Sequence, residues 1–192
     1  MAEYHSGFGV DFSGAERATG PLGLTDSDHI IVEQIPHLRR YALALLGDAD
    51  RADDLVQDCL ERAWSRFHLY RSDGNLRAWL FTIMHNLNAN AARRASRRPR
   101  TVPYEHDRHA VPVSGNQEDR VAMAGLSRAL GDIPVEQREV VLLVGLEQMT
   151  YEEVARILDI PVGTVMSRLH RGRERLRSAY DGQAGPTLRR VK

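Results

Sequence analysis

Thr164, Ser167, Arg168, His170, Arg171 and Arg175 fall on one side of the segment 162–177 if that segment is helical. Hydroxyl and imidazole groups can exchange hydrogen bonds with base edges, and guanidinium groups can pair with phosphate oxygens. That side therefore has the chemistry of a DNA-reading surface, with base contacts early and phosphate contacts later. An ordinary helical hairpin with a solvated basic face is the alternative. The elements around it favour DNA. Thr150 and Glu153 have the spacing of a capping box, Val154, Ala155 and Leu158 line one face of a short helix, and Asp159-Ile160-Pro161 breaks it. A second helix then buries Val162, Val165, Leu169 and Leu176. Two short helices, a tight turn and an Arg-rich outer face make a helix-turn-helix pattern.

Two more surfaces carry chemistry. Asp53, Asp54, Gln57, Asp58 and Glu61 lie opposite the apolar stripe Ala52, Leu55, Val56, Cys59, Leu60, Ala63 and Phe67, on a helix beginning near Asp48 or Asp50. This is either a solvated face or a docking surface for a basic partner. A longer helix, from about Asn75 to Arg97, buries Leu76, Trp79, Leu80, Ile83 and Leu87. It exposes Arg77, His85, Asn86, Asn90, Arg93 and Arg94, and amides followed by arginines suit base and then phosphate contacts. Trp79 fits the core stripe better than a base-stacking role.

The elements that position these residues are all helical. The fold class is all-α: two small helical domains joined by a flexible linker, the C-terminal one holding the helix-turn-helix. Residues 1–25 read as a disordered extension. Residues 26–98 form the first domain, where Pro36 should kink or split the first helix. Residues 99–117, with three prolines and no apolar period, form the linker. Residues 118–180 form the second domain, and 181–192 a polar tail.

Composition restricts the function. Among 192 residues, 26 basic and 26 acidic side chains cancel, so the surfaces above are local features of a neutral chain. Cys59 is the single cysteine, which rules out an intrachain disulfide and reads as a buried small hydrophobe. No signal peptide or membrane-length apolar run appears, so a cytoplasmic protein without membrane insertion is expected. No Gly-rich phosphate loop, activated nucleophile or paired acids are present, so the chain is expected to work by binding, not as an enzyme, and without a cofactor. His106 and His109 flank Asp107 in the linker, but two histidines without a helical frame do not make a metal site, and none is expected.

The order of these segments resembles a known family. Asp53-Asp54-Leu55-Val56-Gln57-Asp58 is followed by Asn75-Leu76-Arg77-Ala78-Trp79-Leu80, Asn86, and a linker. Then come Leu130-Gly131-Asp132-Ile133-Pro134, Gln137-Arg138-Glu139, Tyr151-Glu152-Glu153-Val154-Ala155, and Pro161-Val162-Gly163-Thr164-Val165 with Ser167-Arg168. This is similar to the extracytoplasmic-function (ECF) group of bacterial sigma factors over roughly residues 28–180. The resemblance implies that Asp53, Asp54, Leu55, Gln57 and Asp58 dock on the clamp helices of the β′ subunit of core RNA polymerase, whose β subunit is also a partner. It implies −10 promoter contacts by Arg77, His85, Asn86, Asn90, Arg93 and Arg94. It implies −35 contacts by Thr164, Met166, Ser167, Arg168, His170, Arg171 and Arg175. An anti-sigma factor would hold such a protein inactive until a stress or other signal. A helix-turn-helix repressor or activator, and a pure interaction adaptor, are the competing readings. Neither accounts for the acidic helix together with the Asn- and Arg-bearing one.

Overall fold

The computed structural model describes residues 26–70, 74–97 and 125–183. The expected N-terminal extension, the linker with its His106–His109 pair, and residues 184–192 lie outside them. Among the described residues all regular structure is helical. Helix α1 (Asp26–Val32) belongs to a separate unit ending at Glu33, and a second compact body begins at Gln34.

Helix α2 (Ile35–Leu46) carries Pro36 in its first turn, where the missing N–H leaves no amide unpaired. Gly47 ends α2 at φ +66°, a left-handed cap that donates its N–H to Leu43 O. Asp48 then caps α3 (Ala49–Ser65), its carboxylate accepting from Arg51 N. A single 3-10 turn, Phe67–Leu69, precedes α4 (Leu76–Arg97), whose N-terminus is capped by Asn75 Oδ1 accepting from Ala78 N.

Residues 125–131 are helical (α5) and lead through Ile133 and Pro134 into α6 (Val135–Gly145). The turn after α6 places Gln148 at φ +55°, and Met149 N–H returns to Leu143 O. Helix α7 (Tyr151–Leu158) has the capping box that its sequence predicts, with Thr150 and Glu153 each accepting from the other's amide. Asp159 closes it in the left-handed region at φ +52°, and Pro161 begins the turn into α8 (Val162–Gln183).

One hydrophobic cluster runs through both halves of the body, from Leu38, Tyr41 and Leu45 of α2 through Leu80 and Met84 of α4 to Val140, Leu143, Val154, Val165 and Leu169. Tyr41 and Phe81 meet edge to face, with ring centroids 5.0 Å apart. The second half thus packs directly on the first, through α2 with α6 and α4 with α7.

Candidate nucleic-acid and partner interfaces

Helix α8 sorts its residues by face. Val165 and Leu169 are buried, with Val162 and Leu176 packed beside them. Gly172 shares the buried face, and a Cβ there would lie 2.6 Å from Val141 Cγ2, so α6 and α8 approach closely because the residue is glycine. Outside, Met166, Ser167, His170, Arg171 and Arg175 are exposed, while Thr164 and Arg168 are half-buried at the edge. Arg171 Nε donates to Ser167 O at 3.2 Å, which lays its guanidinium along the exposed face, and His170 lies 3.5 Å from Glu174. The helix-turn-helix expected from the sequence is present, and its polar face is unobstructed by the described residues.

Helix α3 also splits as expected. Asp53, Asp54, Gln57 and Asp58 are exposed, and Ala52, Val56, Cys59 and Ala63 are buried. Leu55 is buried as well, so it holds the helix in place and presents no surface. Asp53 pairs with Arg39 at 2.8 Å, and Gln57 donates to Glu61 at 3.1 Å. Between α2 and α3 lies an open groove of about 370 Å³, with Ile35, Val56, Leu60 and Trp64 along it and Arg39 and Asp53 at its rim. Burial pushes the Cys59 thiol up to about 12, and its Sγ–H points at Leu80 O, 3.5 Å away. The thiol is a core group, as its sequence position implies.

On α4 the candidate residues divide. Asn86, Asn90, Arg93 and Arg94 are exposed. Trp79 is half-buried against Phe67 and Tyr70, at 6.3 Å and 5.3 Å between ring centroids, which matches its core assignment. Arg77 and His85 are turned toward the second half of the body. His85 Nδ1 lies 2.9 Å from Glu139 Oε1. Arg77 Nη2 donates to Glu147 Oε2. The Glu147 side chain has no solvent exposure, and Arg40 also donates to its Oε1, from Nη2 at 2.9 Å and Nε at 3.2 Å. His37 Nδ1 is 3.1 Å from Oε2. Asn75 Nδ2 donates to Glu153 Oε1 at 2.6 Å, joining the cap of α4 to the capping box of α7. These bonds and its cap hold the Glu153 carboxyl below its usual value, the backbone bond at Thr150 being the largest cause. Burial, then the charges of Glu139 and Glu147, raise the Tyr41 hydroxyl well above its ordinary value.

Sequence reasoning missed Glu139 and Glu147 as functional groups. Their one signal is that each carboxylate borders the apolar run 140–146, where a charge needs a buried partner.

Two helical halves, a helix-turn-helix with a basic outer face in one, and an acidic helix beside an Asn- and Arg-bearing one in the other, define an all-helical class of protein with separate charged faces. Comparison with known proteins specifies it. Residues 31–85 match the family described as the Sigma2 domain of PhyR, and residues 124–176 match Sigma-70, region 4. The ECF RNA polymerase sigma factor EcfG of Rhodopseudomonas palustris is 38% identical over 157 residues, covering 81% of this chain and 86% of that protein. The ECF sigma factor SigE of Mycolicibacterium smegmatis is 33% identical, covering 83% of this chain and 64% of its own. The sigma factor RpoE of Bartonella quintana, solved with the anti-sigma factor NepR, superposes with a TM-score of 0.66 at 29% identity, over 83% of this chain and 99% of that one. The chain belongs to the ECF RNA polymerase sigma factors, proteins that direct the polymerase to promoters. No helix among the described residues is long and apolar enough to cross a membrane.

Proposed function

We propose that this sigma factor reads the −35 element with α8 and the −10 element with α4, while the acidic face of α3 docks on core RNA polymerase. The observation that carries the reading is the division of α8: Ser167, His170, Arg171 and Arg175 face solvent together, and Val165, Leu169 and Gly172 hold the helix to the body. That arrangement offers donors to a major groove without disturbing the core. On α3, Asp53, Asp54, Gln57 and Asp58 supply charge complementarity to a basic partner, and the neighbouring groove with Trp64 supplies an apolar anchor. On α4, Asn86 and Asn90 offer amides to an unstacked base, and Arg93 and Arg94 follow for phosphates. Polymerase holds two weak readers on one assembly, so neither needs tight affinity by itself.

The RpoE relative is held by an anti-sigma factor. We extend that regulation to this chain: a protein of that kind keeps it from polymerase until a signal releases it, in the cytoplasm. The test is run-off transcription on sheared genomic DNA by core polymerase, with and without this protein. Protein-dependent transcripts with a shared −35/−10 spacing support the reading. Their absence, with DNA binding by the free protein, favours a repressor or activator.

A further inference from the structure

Helix α8 carries one apolar side chain on the face that its polar residues share. Met166 is 50% exposed, and no other large hydrophobic residue of α8 is exposed among the described residues. It is the fifth residue of the helix, so it lies in the N-terminal part that contacts base edges when such a helix enters the major groove. Gly163, Met166, Ser167 and His170 are all exposed, and their spacing sets them along one ridge. A helical side chain leans toward the N-terminus. On that side of Met166 stands Gly163, where a Cβ would meet nothing within 4 Å. The thioether chain is unbranched and has three rotatable bonds, so it can swing over this bare turn and fit its methyl end to a partner.

The polar groups beside it are engaged within the helix. Ser167 Oγ donates to Thr164 O at 3.1 Å, and Arg171 Nε donates to Ser167 O at 3.2 Å. Met166 itself has no donor and only a weak acceptor, so it cannot tell bases apart by hydrogen bonds. The apolar landmark of the major groove is the C5-methyl group of thymine. The core takes nothing from Met166, because its neighbours Val165 and Leu169 fill that side of the helix.

We propose that Met166 is a specificity-determining residue of the −35 contact, which selects a thymine by packing on its C5-methyl group. This rests on the reading of α8 as the −35 helix and adds to it the base that one side chain prefers.

The probes are promoter duplexes carrying a −35 region recovered by run-off transcription, in which each thymine of that region is replaced in turn by deoxyuridine. The exchange removes one methyl group and keeps every hydrogen-bonding edge. Holoenzyme binding is compared for wild type, Met166→Ala and Met166→Leu at one salt concentration. For wild type, deoxyuridine at one position should weaken binding about three- to fourfold, the worth of one methyl group taken out of water. Met166→Ala should bind the thymine and deoxyuridine duplexes alike at that position. Met166→Leu keeps an apolar end of similar size and should retain most of the discrimination. Wild type that is indifferent to every deoxyuridine overturns the proposal. So does Met166→Ala with the full wild-type discrimination, because another side chain then meets the methyl group. Weaker binding of Met166→Ala to core polymerase, with that discrimination unchanged, places the residue against protein and overturns it too. A duplex with a scrambled −35 region separates the two levels. If scrambling weakens wild-type binding and deoxyuridine does not, the thymine contact falls and the −35 reading stands. If no transcript forms, or scrambling changes nothing, the −35 reading falls and the thymine contact with it.

Discussion

Arg138 is the residue whose loss should reveal how the two halves are held. Its Nη1 donates to Leu45 O at 2.6 Å, and its Nη2 donates to Gly131 O and Ile133 O, each at 2.9 Å. Leu45 O lies in the last turn of α2, where a helix leaves carbonyls unpaired and a cation is favoured. The other two carbonyls end α5 and begin the approach to α6. One guanidinium thus joins three chain segments. Arg138→Met keeps the apolar stem and removes the donors. A hydrogen bond from a charged donor contributes about 1.5–3 kcal/mol, so three give an upper bound of about 9. Part of that is regained because the variant no longer desolvates a guanidinium, and water can reach some of these half-buried carbonyls. A loss of about 3–4 kcal/mol is expected. For a body of this size each kcal/mol lowers Tm by roughly 2–4 °C, so the melting temperature should fall by roughly 6–16 °C. Thermal unfolding by far-ultraviolet circular dichroism measures it. Arg138→Lys should recover only about a third, since a single ammonium cannot span three diverging carbonyls. A Met variant melting within about 2 °C of wild type would refute the argument, because it would mean the three carbonyls find equal partners without the guanidinium.

Gly172→Ala should destabilise despite better helix propensity. The gain is about 1 kcal/mol, but the new Cβ would meet Val141 Cγ2 at 2.6 Å and Gln137 O at 3.3 Å. A β-branched valine swings aside poorly, and overpacking costs about 1–3 kcal/mol, so a net loss of about 1 kcal/mol is expected by urea denaturation. Cys59 should resist alkylation at pH 8 in the folded protein and react once unfolded; labelling of the native protein at the unfolded rate would contradict its burial. Its thiol is raised from 9.0 to about 12, so the stability that it contributes is fully present below about pH 9 and is lost as pH rises toward 12. Tyr41 acts in the same direction, and Tm should decline above pH 9 without a matching change between pH 7 and 8. Arg171→Ala should leave Tm unchanged, because the side chain is exposed, while reducing the log–log salt slope of −35 duplex binding by holoenzyme by about 0.9; an unaltered slope would remove Arg171 from the phosphate contacts.

Local features of the fold were legible in the sequence and the long-range ones were not. The Thr150–Glu153 box, the start of α3 near Asp48, the split of the first helical run and the inner face Val165, Leu169 and Leu176 each depend on residues a few positions apart, where backbone geometry fixes who meets whom. The polar contacts between the halves join residues 54 to 110 positions apart. Helical periodicity places Arg77 and His85 on a polar face but says nothing of what covers it. Gln137-Arg138-Glu139 shows the difference most clearly. It was readable as a family motif, while its roles, with Arg138 holding three carbonyls and Glu139 meeting His85, required the fold. Gly172 carries no hydrophobic signal, so its place on the buried face of α8 is visible only in the fold.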